Sequence, residues 1–133
     1  MRYGDGKRWE EVLCFFAPHM DALPLYDALA RRIWAELGAV TVRVLKSQIS
    51  FSNRYNFAFV SFLPVKKAAQ RPKPYITVSF GLDHRVEHPR IAAATEAYPN
   101  RWTHHVLVGS AEEIDEDLME WIRQAAAFSQ SKR

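Results

Sequence analysis

Hydrophobic positions along this chain change their period, and each change marks a new kind of element. The opening stretch KRWEEVLCFFAPHM (7–20) predicts a short helix that stops near Pro18. In DALPLYDALARRIWAELG (21–38), Leu25, Leu29, Ile33 and Leu37 recur at helical spacing, and Tyr26 and Trp34 widen the stripe. Asp21 is placed to cap that helix, Pro24 is tolerated in its first turn and Gly38 supplies the stop. Arg31, Arg32 and Glu36 fall on its wet side.

Alternation then takes over. In AVTVRVLKSQISF (39–51), Val40, Val42 and Val44 share one parity, whereas Leu45, Ile49 and Phe51 share the other. A parity switch inside one extended run requires a bulge, a sharp bend or a break into two strands near Lys46. SNRYN (52–56) reads as a turn, and FAFVSFL (57–63), apolar at both parities, as a central strand covered on both faces. PVKKAAQRPKP (64–74) is an exposed basic connection. YITVSFG (75–81) alternates, with Ile76, Val78 and Phe80 inward and Tyr75, Thr77 and Ser79 outward. LDHRVEHP (82–89) is a loop, and RIAAATEAY (90–98) predicts a short helix or an irregular crossing. Near the end, Ser110 and Glu113 have the spacing of a capping box, followed by the buried stripe Ile114, Leu118, Trp121, Ile122 and Ala125. Residues 129–133 read as a frayed tail.

These elements predict a two-layer α+β domain spanning 1–133, with an antiparallel sheet of four or five strands and the N- and C-terminal helices on one face. The 133 residues, 48% of them hydrophobic and 25% charged, suit one globular domain. No apolar run is long enough to cross a bilayer, and the charged opening MRYGDGKRWEE is unlike a signal peptide, so a cytoplasmic protein without a membrane partner is expected. Cys14, the single cysteine, sits in the apolar run VLCFFA and reads as a buried, inert thiol. Net charge is only +3, but unevenly spread. Residues 40–110 hold ten basic side chains against three acids, and AEEIDEDLME (111–120) holds six acids and no base. Such polarity accompanies an anion-binding face, although solvated loops beside a well-capped helix give the same count.

Candidate chemistry centres on RWTHHV (101–106). In a strand, consecutive side chains point to opposite faces, so His104 and His105 cannot chelate one metal together. His104, with Trp102 and Val106, is placed in the core, which leaves His105 on the wet face. His84 and His88 have helical spacing in a turn-like segment and do not form a zinc-protease helix. No nucleophile elbow and no phosphate-cradling glycine loop are present, so neither metal nor cofactor is expected. What gathers instead is a polar sheet face. Lys46, Gln48, Ser50, Tyr75, Thr77 and His105, with Ser79 and Thr103, form its floor, and Arg43, Arg54 and Arg101 flank it. Hydrogen bonds, positive charge and an aromatic platform suit nucleic acid or another phosphate-bearing ligand. Two alternatives stand beside this binding module. One is an interaction protein or homodimer that docks through Trp9, Phe15 and Phe16. The other is a small-molecule enzyme that uses His105, Gln48 and Lys46.

The ordered pieces FFAPH, LYDAL, VTVRVLKSQISF, FAFVSF, YITVSFGL and RWTHHV, followed by an acidic helix start, resemble the bacterial domain-of-unknown-function family 5655 over nearly the whole chain. KSQISF and RWTHHV are the most specific of them. Some relatives in that family are joined to nuclease-like domains, so the resemblance implies a nucleic-acid context. More distantly, the strand–loop–strand layout and the closing W-x-x-H-V plus helix are similar to the MmcQ/YjbR-like domains, small α+β folds for which DNA binding is the expectation. The two-helix opening departs from that second group.

Overall fold

A computed structural model describes residues 6–132, with side chains from Arg8 onward; Arg133 and the charged start at Met1–Asp5 lie outside it. Helix α1 (Gly6–Phe16) passes through a 3-10 segment (Ala17–Ala22) into α2 (Leu23–Leu37). Pro18 and the non-helical backbone of His19 (φ −143°, ψ 55°) separate the two helices. Leu25, Tyr26, Leu29, Ala30 and Ile33 form the buried stripe of α2, and Gly38 ends the helix in a positive-φ conformation (φ 72°) that a residue without Cβ adopts freely. The start differs from the sequence expectation. Ala22, not Asp21, occupies the cap position, and no side chain caps the helix there.

Six antiparallel strands follow in the spatial order β1-β2-β3-β4-β6-β5, one or two more than the pattern predicts. The parity switch near Lys46 is a break into two strands. β1 (Thr41–Val44) and β2 (Ile49–Ser52) form a hairpin whose turn carries Lys46 and Ser47, closed by the Leu45 N–H donating to the Gln48 carbonyl at 2.8 Å. β3 (Asn56–Ser61) and β4 (Ile76–Leu82) pair next in the sheet. The unexpected strand is β5 (Ala93–Tyr98), which pairs with the edge of β6 (Arg101–Val108) through a tight turn at Asn100 (φ 61°). Its AATEAY sequence has neither alternation nor β-branched enrichment, so pairing with β6 and not local propensity makes it a strand.

Register assigns the faces. Phe51, Ala58, Phe80 and His104 lie in one cross-strand row, and Ile49, Val60, Val78 and Val106 in the next. All eight are buried, and this face packs against the helices. The Tyr26 ring of α2 stacks on Phe51 (6.1 Å), and Trp121 of α3 (Glu116–Ser131) stacks on Phe80 (5.8 Å). The skipped register between Phe51↔Ala58 and Ser52↔Asn56 makes Phe57 a bulge residue, which lets Phe57 and Ala58 both be buried.

The capping box read at Ser110 and Glu113 begins a 3-10 turn (Ala111–Glu113) in which Ser110 makes no side-chain cap bond. Asp115 caps α3, its Oδ1 accepting from the Leu118 N–H at 3.0 Å while Oδ2 takes the Arg90 guanidinium at 3.0 Å. Asp115→Ala is therefore expected to cost about 1–2 kcal/mol in urea unfolding, and Ser110→Ala only a few tenths. Equal losses from the two would place the cap at Ser110. The helix runs to Ser131, past the fraying expected from residue 129. Buried Ser129 hydrogen-bonds Asn53 and Tyr55 and ties this end to the β2–β3 turn. No helix among the described residues is long and apolar enough to cross a membrane.

Candidate functional site

The two histidines of RWTHHV part as an extended strand demands. His104 is fully buried on the helix-packed face, its ring stacked on Phe80 (5.0 Å, 9° between planes), and Nε2 accepts the Val86 N–H at 3.0 Å. His105 points to the opposite face, where Ser79 is its direct cross-strand partner. Ser79 Oγ and His105 Nδ1 are 2.7 Å apart, so this hydrogen bond fixes the ring and occupies one nitrogen. Among the described residues no cluster of three or more His, Cys, Asp or Glu side chains is placed to hold a metal.

The face that carries His105 is not the open wet floor the alternation implied. Thr77 is fully buried, Ser79 is 5% exposed and Ser50 is 1% exposed. Chain after β3 folds over this side of the sheet. Thr77 Oγ1 donates to the Leu63 carbonyl at 2.7 Å, and the Tyr75 hydroxyl donates to the Phe62 carbonyl at 2.9 Å. Phe62 then becomes an anchor for the N-terminal helices, with Phe15 stacked on it at 5.6 Å, Phe16 edge-on at 5.5 Å and the His19 ring at 4.4 Å. A flat polar sheet surface becomes a walled hollow.

That hollow is a pocket of about 570 Å³ between the β1–β2 turn, the central strands and the Phe15–His19 corner. Its polar lining comes from Lys46, Ser47, Gln48, Ser61, Ser79, Thr103 and His105, and its apolar walls include Phe15, Phe59 and Phe62. None of its lining residues is a carboxylate, and Lys46 is the one whose charge is permanent. Lys46 and Gln48 reach the pocket because the hairpin break turns them toward the strands. Burial pushes the His105 pKa below its usual value, so the ring at neutral pH is an uncharged hydrogen-bonding group. Burial likewise lowers the pKa of His104, with smaller contributions from His84 and His105.

A pH dependence follows from both shifts. A histidine whose folded pKa lies below its unfolded value binds more protons when unfolded, so stability is fully present above the unfolded value near 6.5 and falls as pH drops below it. Urea midpoints are expected to fall between roughly pH 7.5 and 5. His105→Gln should lessen that fall; an unchanged slope would remove His105 as a contributor.

Of the eleven residues expected on or beside the polar floor, the structure gathers Lys46, Gln48, Ser79, Thr103 and His105. Ser50 and Thr77 lie on the same sheet face but are closed off, and Tyr75 serves the fold through Phe62. Arg43 is exposed on the edge strand β1. Arg54 lies over the Tyr55 ring, and Arg101 sits at the other end of β6, 4.9 Å over the Phe128 ring. Neither arginine lines the His105 pocket. Of the three expected docking residues, Phe16 is fully buried against Tyr26 and Phe62, Phe15 is a wall of the pocket, and Trp9 is half-buried beside Leu23 and Pro24. Cys14 is exposed, contrary to the buried thiol expected, because it falls on the outer side of α1. Sequence reasoning missed Ser61, Phe59, Phe62 and His19 as pocket residues. The doubly apolar pattern of FAFVSF was the available signal, since it announced cover on both faces.

The acidic start of α3 is matched by arginines from α2, from the loop before β5 and from α3 itself. Arg90 pairs with Asp115, Arg32 with Glu116 at 3.5 Å, and Arg123 with Glu36, Glu116 and Glu120. Part of the charge asymmetry is therefore consumed in holding α2, α3 and the loop before β5 together.

Comparison with known proteins adds a family. No curated protein and no solved structure matches the chain. The family model described as "Domain of unknown function (DUF5655)" matches residues 15–129, from the first pocket wall to the buried serine of α3. The chain belongs to the DUF5655 family.

Proposed function

We propose that this domain binds a small ligand in the His105 pocket, and that the ligand joins an anionic group, such as a phosphate, to a flat apolar body. The carrying observation is the lining: a lysine, hydroxyls and an amide together with phenylalanine rings, and no carboxylate to repel an anion. Concavity favours a small ligand over a duplex lying across a sheet. Ser79 fixes the orientation of the His105 ring by holding Nδ1, which leaves Nε2 to meet the ligand.

Isothermal titration with phenyl phosphate tests this reading. Saturable binding that weakens as salt rises is the expected result, since Lys46 supplies the charge. Absence of binding to phenyl phosphate would remove the anion-plus-ring reading. A single-stranded oligonucleotide, titrated at roughly 50 and 200 mM salt, addresses nucleic acid directly, because several neutralised phosphates give a steep salt slope.

A further inference from the structure

A second hollow of about 340 Å³ adjoins the His105 pocket at the Arg101 end of β6, where the sheet meets the C-terminal end of α3. The two share Phe59 and Thr103. At the far end Arg101 and Lys132 converge on one ring: the guanidinium lies 4.9 Å and the ammonium 4.8 Å from the Phe128 centroid. Trp102 and Tyr98 complete the aromatic lining, and Tyr98 is 73% exposed, as a ring awaiting a stacking partner is. No carboxylate lines this hollow either. Of the nearby acids, Asp83 bonds His84 at 2.7 Å and is within electrostatic reach of Arg101, and Glu96 accepts the Asn100 N–H at 3.1 Å. Burial first, and then Arg101, lowers the Lys132 pKa.

We propose that Arg101 and Lys132 form a second anion subsite beside Trp102, and that the ligand of this domain is extended, with aromatic rings joined through phosphates as in a dinucleotide. The proposal rests on the reading that the His105 pocket takes the first anion-bearing ring. Four residues of extended strand separate Arg101 from His105, about 13 Å, so one phosphate cannot serve both ends. Phe59 lies between the two ends as a shared platform.

Calorimetry with adenosine 5′-monophosphate and with the 5′-phosphorylated dinucleotide pApA separates the two sites. Wild-type protein should bind pApA about tenfold more tightly than the monophosphate. An Arg101→Ala/Lys132→Ala variant, checked for folding by its urea midpoint, should lose that advantage yet keep its affinity for the monophosphate. Lys46→Ala should weaken both. Equal wild-type affinity for the two probes overturns the second subsite and leaves the pocket reading intact. So does a double variant with altered stability and unaltered binding, which would assign the two cations to the C-terminal dipole of α3. If neither probe binds, both readings fall. Single-stranded oligoadenylate distinguishes the sources of this chemistry, because affinity above that of pApA indicates a strand and equal affinity a dinucleotide-sized ligand.

Discussion

His104→Ala is expected to lower stability by about 2–4 kcal/mol, while His105→Ala costs less than about 1 kcal/mol. Neighbours in sequence, the two rings belong to different physical environments. His104 is one end of a buried stack, with Phe80 in the middle at 5.0 Å and Trp121 beyond it at 5.8 Å from Phe80. Alanine there opens a cavity beneath α3 and strips the Val86 N–H of its acceptor, so lost packing and an unsatisfied donor add. The loop that precedes β5 loses one of its ties to the sheet at the same moment and keeps the Ala92 N–H bond to the His105 carbonyl. His105 lines a hollow, and its one hydrogen bond is to a serine hydroxyl that can rotate toward water. Urea unfolding of the two variants gives the comparison. A His105→Ala loss as large as that of His104→Ala would make His105 a structural residue and take the central group out of the pocket.

Lys46→Glu is expected to weaken phenyl phosphate binding by roughly 10- to 100-fold. Lys46 is the pocket's permanent positive charge, and glutamate replaces an attraction with a repulsion of similar size. Across a few ångströms at a partly screened site, the two together are worth on the order of 1.5–3 kcal/mol. The residue is exposed in the β1–β2 turn, so stability should move by less than about 0.5 kcal/mol. Paired titration and unfolding measurements on the variant keep the two effects apart. Binding undiminished by the charge reversal would mean that the ligand's anion lies elsewhere, or that the ligand has none.

Much of this arrangement is legible in the residue pattern. The switch from Val44 parity to Ile49 parity locates the hairpin break that carries Lys46 and Gln48, since side-chain direction in a strand depends only on parity. The same rule separates His104 from His105 before any coordinates. What the pattern does not reveal is what covers a polar face. Thr77 and Ser79 alternate with Ile76, Val78 and Phe80 as solvent-facing residues do, yet the Phe62–Val65 segment folds back over them. Its carbonyls satisfy Thr77 and Tyr75 through contacts more than ten residues apart. β5 was hidden for a related reason, because an alanine-rich strand is created by its neighbour's unpaired edge. The α3 cap failed by proximity: Ser110 and Asp115 both carry capping side chains, and the non-helical backbone of Ile114 (φ −83°, ψ 73°) separates the 3-10 turn after Ser110 from the helix that Asp115 caps.

Chemical-shift mapping of the backbone amides during a phenyl phosphate titration tests the pocket most directly. Perturbations should concentrate at Lys46–Gln48, Ser61, Ser79, Thr103 and His105, on four separate parts of the sheet that only the folded hollow brings together. Shifts confined to the exposed basic connection around Lys66 and Lys67, or none at saturating ligand, would contradict a binding site built around His105.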